Sequence, residues 1–141
     1  GYPELHAAKL SEAAHWRAGI RAAHAAGTPI WAECGGMMAL FDTLTDKQGE
    51  TYRMAGLLPG ATAMQPRLQA LGMQAVDHGH GELRGHSFHY SKLETPLIPS
   101  HRARGQSGRD GEAQYIDGRL TASYLHHYFP FNPTAAARLF L

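Results

Sequence analysis

Charge is scarce in this 141-residue sequence. Asp, Glu, Lys and Arg make up 18% of it, against a typical ~25%. Thirteen basic side chains meet 12 acidic ones, for a formal net charge of +1. So even a balance sets up no field to gather polyanions, and nucleic acid is not an expected partner. Cysteine is scarcer still. The single Cys34 can close no disulfide within the chain and fits a reducing compartment, so a cytoplasmic location is expected. Long apolar runs are missing too. The longest uncharged stretch, Leu120 to Ala137, is broken by two His, two Pro, Asn and hydroxyls; it will not span a bilayer, and no membrane partner is expected. There is no Gly-x-x-x-x-Gly-Lys-Ser/Thr loop and no Gly-x-Gly-x-x-Gly, so the sequence carries no nucleotide-binding signature of its own. Its start, Gly-Tyr-Pro-Glu, is neither a signal peptide nor an initiation site, and a segment is expected to be missing from the front.

What is present is an ordinary apolar fraction, 43%, which argues against disorder. The length suits one domain and can bury roughly 70% of the unfolded surface, so no metal or disulfide is needed to hold a core. Residues 5 to 26 are rich in Ala and predict a helix, with Ala13, Trp16, Ile20 and Ala23 as its apolar stripe and Gly27 as its left-handed stop. Thr28 to Glu33 has the length of a buried strand, ends at Cys34-Gly35-Gly36, and gives way to the helix-like Met37 to Phe41. A helix, a turn and a buried strand are the pieces of a parallel α/β unit. Further on, short strands are expected at Tyr52–Leu58, Gly72–Val76, Leu83–Tyr90, Gln114–Asp117 and Leu120–Tyr124. Thr95 to Glu112, collecting Pro, Gly, Ser and Arg, reads as a long surface loop. Thr134 to Leu141 predicts a closing helix.

The sharpest local feature is Trp31-Ala-Glu-Cys34-Gly-Gly-Met. A nucleophile on a strand-to-helix turn needs small neighbours because the turn is tight and strained, and Ala32 and Gly36 supply them. The N-terminus of the following helix should favour the thiolate, and the Gly35 N–H could act as an oxyanion donor. A lone cysteine is more often a small buried residue; the small residues around this one favour the nucleophile. Of ten histidines, His126 stands out because it ends the apolar strand Leu120-Thr-Ala-Ser-Tyr-Leu, and functional groups gather at such ends in open parallel sheets. The pairs His78-x-His80, His86-x-x-His89 and His126-His127 complete no familiar ligand pattern, and no metal site is expected.

Five segments carry a family resemblance: Gly1-Tyr-Pro-Glu-Leu-His6, Ala32-Glu-Cys-Gly-Gly36, Met54-Ala-Gly-Leu-Leu-Pro-Gly60, Leu83-Arg-Gly-His-Ser-Phe-His-Tyr-Ser91 and Thr121-Ala-Ser-Tyr-Leu-His126. The tail Phe129-Pro-Phe-Asn-Pro133 fits as well. In order and end to end, the chain resembles the class I glutamine amidotransferase domains of cobyrinic and hydrogenobyrinic acid a,c-diamide synthases. The resemblance implies an α/β, flavodoxin-like, open and mostly parallel sheet flanked by helices. It implies Cys34 as the nucleophile toward the glutamine amide, by way of a glutamyl thioester, and His126 as base and acid. Gly1, Gly35 and Gly36 become the expected oxyanion and glutamine-binding positions. Tyr128 stands where many class I members carry a Glu that orients the histidine, and Ser87 stands where Glu is common.

Family domains run to about 200 residues, within the usual domain range. Residues 1–141 are therefore expected to be the C-terminal part of such a domain, lacking its N-terminal strands and the ATP-dependent synthetase domain. The resemblance implies glutamine as the ligand of this part. It places ATP, Mg and the corrinoid in the absent domain and leaves no cofactor in this chain. An uncovered sheet edge would allow homo-oligomers. Two alternatives stay open: a non-catalytic amidotransferase-like remnant or assembly domain, and the amidotransferase domain of a cobyric acid synthase.

Overall fold

The computed structural model describes all 141 residues, Gly1–Leu141. The Ala-rich start is not one helix. A 3-10 turn at Pro3–Leu5 leads into α1 (Ala7–Glu12) and α2 (Ala14–Ala25), broken at Ala13 with ψ 71°. At the break the Leu10 carbonyl accepts the Ala13 N–H at 3.3 Å, and the Arg17 guanidinium bonds both it and the Ser11 carbonyl. Trp16 and Ile20 of the expected stripe do pack on the core. Then come β1 (Ile30–Glu33) and the single-turn α3 (Gly35–Met38).

Two sheets follow. The smaller joins β2 (Thr43–Thr45), β3 (Thr51–Arg53), β4 (Ala61–Met64) and β7 (Ser91–Glu94) in the order β3-β2-β4-β7. The larger takes β5 (Ala70–Asp77), β6 (Glu82–His89), β8 (His101–Gly105), β9 (Asp110–Asp117), β10 (Leu120–Ser123) and β11 (His126–His127), in the order β1-β10-β9-β8-β5-β6-β11. Only Tyr90 separates β6 from β7, so one extended segment passes from the large sheet into the small one. A last helix, α4 (Pro133–Arg138), is capped by Asn132, whose Oδ1 accepts from the Ala135 N–H at 3.1 Å.

The α/β class is as expected, with helices packed on mixed sheets, but the sheet is not mostly parallel. Parallel pairing is confined to β1 with β10 and β2 with β4. The reason lies in the connections. Turns such as 78–81, 106–109 and 118–119 are too short for a crossover and return the chain antiparallel to itself. The expected surface loop at 95–112 likewise contains all of β8 and the start of β9. Ala103, fully buried, was hidden between arginines. The main core gathers Met37, Met38, Phe41, Leu44, Met54, Leu58 and Leu120 between α2, α3 and both sheets. No helix is long and apolar enough to cross a membrane.

Candidate active site

Cys34 closes β1. Its N–H donates to the Ser123 carbonyl at 2.8 Å, continuing the β1–β10 pairing by one residue, and its own carbonyl accepts from Met38 N–H at 3.0 Å to open α3. Between those two bonds the chain must reverse its course, and Cys34 does so at φ 48°, ψ −110°. Tyr2 is the only other residue besides glycine with positive φ. Such a conformation costs a side-chain-bearing residue on the order of 1–3 kcal/mol and lifts the side chain clear of the turn. The strained elbow read from the sequence is present.

Gly35 is the neighbour that the turn requires. A Cβ there would lie 2.7 Å from Pro3 Cδ and 3.5 Å from Tyr2 N, so only glycine lets the N-terminal segment lie over the elbow. A Cβ at Gly36 would meet nothing nearer than Ala32 Cβ at 4.0 Å. Gly36 is therefore not demanded by sterics, contrary to the expectation. Gly1, Gly35, Gly36, Cys34 and His126 all line one cavity of about 740 Å³, with Tyr2, Glu33 and Phe88 among its other walls. The candidate residues, 125 positions apart at the extremes, are thus brought together.

The electrostatics depart from expectation at Cys34. Burial pushes the thiol's pKa up, and Glu4 and Glu112 add to this; the neighbouring Gly35 N–H works the other way. Because α3 has a single turn, its dipole does not prevail. His126 is moved down, first by burial and then by His86, His127 and His89, while Glu33 opposes the shift. Both shifts favour the uncharged forms, a thiol and an imidazole that line the same cavity.

The two adjacent histidines have different tasks. The His126 side chain is 39% exposed, while that of His127 is fully buried. His127 donates to Glu33 Oε1 twice, from its N–H at 3.0 Å and its Nδ1 at 2.9 Å. His126 stacks on His86, with ring centroids 5.0 Å apart, and turns its Nδ1 toward Glu33 Oε2 at 3.9 Å. β11 fits against β6 because residue 85 is Gly: a Cβ there would run into the His126 carbonyl.

Several site residues escaped the sequence reading. Glu33 was visible only as a neighbour of the cysteine. Glu112, inside the supposed loop, accepts from Ser87 Oγ and from His89 Nε2. His89 lies flat on Tyr124 at 3.7 Å between ring centroids, and the Tyr124 hydroxyl meets Ser91 Oγ at 2.8 Å. Tyr128, which stands where many class I amidotransferases carry a Glu, is 62% exposed. No group of three or more His, Cys, Asp or Glu side chains is arranged to hold a metal ion.

Against known proteins, the family model described as CobB/CobQ-like glutamine amidotransferase domain matches residues 1–133. A cobyrinate a,c-diamide synthase of Herminiimonas arsenicoxydans is 52% identical over 141 residues, covering 99% of this chain and 32% of the relative. A hydrogenobyrinate a,c-diamide synthase of Stutzerimonas stutzeri is 55% identical over 142 residues, covering 99% and 33%. A cobyrinate a,c-diamide synthase of Salmonella typhimurium is 40% identical over 145 residues, covering 94% and 32%. The chain spans about a third of the length of these curated relatives.

Proposed function

Because the chain belongs to the CobB/CobQ-like glutamine amidotransferase family, we propose that its cavity binds glutamine and releases ammonia from the side-chain amide. The observation that carries this is the backbone of Cys34, held at φ 48° in the cavity that His126 also lines. Cys34 Sγ attacks the amide carbonyl while His126, as general base, takes the thiol proton. The tetrahedral oxyanion is held by the Gly35 N–H and by the Gly1–Tyr2 segment lying over it. The same proton passes from His126 to the departing nitrogen, ammonia leaves, and the remaining glutamyl thioester is hydrolysed by water. The buried Gly85 and Ser123 positions supply no chemistry but hold β11 and the elbow in register.

In the whole protein, the ammonia amidates a corrinoid carboxylate. The matched relatives carry both the cobyrinate and the hydrogenobyrinate name at similar identity, so the substrate class is a cobyrinate-type corrinoid, with or without cobalt. ATP and Mg serve that second step in the synthetase portion, outside these residues.

The test is covalent. The chain is treated with a glutamine-mimicking diazoketone and its intact mass is read, with Cys34→Ala as control. One adduct, absent from the control, is expected. A folded chain that takes no adduct overturns the reading in favour of a non-catalytic domain.

A further inference from the structure

A thiol–imidazole pair works as described only if the imidazole carries its proton on the nitrogen facing away from the thiol, and that tautomer needs an acceptor to hold it. Around His126 the neighbours are His127 on its own strand, His86 and His89 on β6, Glu33 on β1 and Cys34. Glu33 is the only carboxylate within 4 Å of the ring. Its Oε1 is already occupied, taking Trp31 Nε1–H at 2.8 Å and both His127 donors. Three donors on one oxygen fix the carboxylate in place and leave Oε2 directed at His126 Nδ1. Burial alone would discourage ionisation, but the bonds from His127 and Trp31 outweigh it and hold the carboxyl below its ordinary pKa.

Resting on the amidotransferase reading above, we infer that Glu33, the residue immediately before the nucleophile, is the positioning carboxylate of the site. At 3.9 Å its Oε2 is too far for a direct hydrogen bond, but its negative charge favours the proton of His126 on Nδ1 and so leaves the Nε2 lone pair free for the thiol. The usual objection to adjacent residues sharing a site is that strand alternation sends them to opposite faces. The elbow removes it, because the backbone reversal at Cys34 redirects the thiol into the cavity that Glu33 also borders. Glu33 acts through His126.

Glu33→Gln is the direct test. Gln can still accept from Trp31 and His127 through Oε1, but it offers an NH2 toward His126 Nδ1. That reverses the tautomer and removes the base. Because Cys34 is the only cysteine, its alkylation by iodoacetamide can be followed across pH without ambiguity. The wild type should show a limb set by His126, well below the ordinary thiol range near 8.5. The variant should lose that limb, react on the order of 100-fold more slowly at neutral pH, and converge with the wild type once the thiol ionises unaided. A purely structural role would lower the rate by one factor at every pH. An unchanged limb would overturn the inference.

Should Glu33→Gln fail to fold, nitrogen-15 NMR of His126 in the wild type decides the matter. Protonation at Nδ1 supports the inference, and protonation at Nε2 overturns it. Diazoketone labelling of the wild type separates the two readings. No adduct on the folded wild type sinks the amidotransferase reading. An adduct accompanied by an unchanged Glu33→Gln limb sinks only the role of Glu33.

Discussion

The Ser87 hydroxyl on β6 donates to the Glu112 carboxylate on β9, although two other strands lie between them in the sheet. His89 Nε2 donates to the same oxygen at 2.8 Å, and the Glu112 N–H is fixed by Gln74 Oε1 at 2.7 Å. Burial works against ionisation here, but the bonds from His89 and Ser87 outweigh it and lower the pKa. The Ser at position 87 is therefore accompanied by a carboxylate, delivered from β9.

A folded-state pKa below the unfolded one means stability that is present above the ordinary carboxylate range and lost as pH falls through the folded value. Glu112→Gln should accordingly destabilise the chain by roughly 1–3 kcal/mol at neutral pH. The difference should shrink toward zero in acid, where Glu112 is protonated as well. Urea denaturation of both proteins at neutral pH and near pH 3 checks this. An equal difference at both would refute it.

The strained backbone of Cys34 predicts an ordering among its variants. Cys34→Gly relieves the positive φ and Cys34→Ala does not, so the Gly variant should melt higher despite its freer unfolded chain. The gap should be about 1 kcal/mol, or roughly 3–6 °C for a chain of this size. Differential scanning calorimetry measures it directly.

His126 and His127 should separate cleanly. His126→Ala, at a half-exposed position, should leave stability within about 0.5 kcal/mol and abolish diazoketone labelling. His127→Ala removes a fully buried ring and its bond to Glu33, and should cost about 2–4 kcal/mol. Thermal melts and adduct masses of both variants test the pair.

Gly35→Ala would drive a methyl group into Pro3 and displace the segment lying over the elbow. Diazoketone labelling should fall about 100-fold, the usual order for loss of an oxyanion donor, while far-UV circular dichroism stays native. Gly36→Ala, which meets no such obstacle, should fall by less than tenfold.

His78 is half-buried beside Trp31, with its Nε2 shielded from solvent and unpartnered. Burial, reinforced by His127 and His101, pushes its pKa from 6.5 down to about 4. A histidine kept neutral in this way contributes stability that is complete above its unfolded value near 6.5 and lost as pH falls toward about 4. Replacing it with Leu should move the acid unfolding midpoint to lower pH, read from ellipticity across a pH titration.

What the sequence displayed was local. Ala32 to Gly36 announces the elbow because strand, turn and small residues are contiguous. His126 could be picked out because it ends an apolar strand. The rest depends on distance. Glu33 sits next to the nucleophile, but its partners Trp31 and His127 become meaningful only once β1 and β11 meet. Gly85 looks like any glycine in a strand until the His126 carbonyl is placed against it. β8 was unreadable because its inward residue, Ala103, is small and flanked by arginines that project outward. The sheet is mixed and not mostly parallel because only the start of the chain has α/β connections, while the later turns are hairpins.

The bonds from β11 to Glu33 join the last strand of the large sheet to its first. β11 is only two residues long, so its short pairing with β6, the contact of the His127 ring with Trp31 and that one carboxylate are what keep the rim shut. Subglobal opening there would part nucleophile from base while the main core, centred on Phe41 and Leu44, stays intact. The chain should then have two lifetimes, a short one as a reactive site and a longer one as a folded body. Hydrogen exchange at the His127 amide, compared with that at Leu44, would measure how far apart they lie.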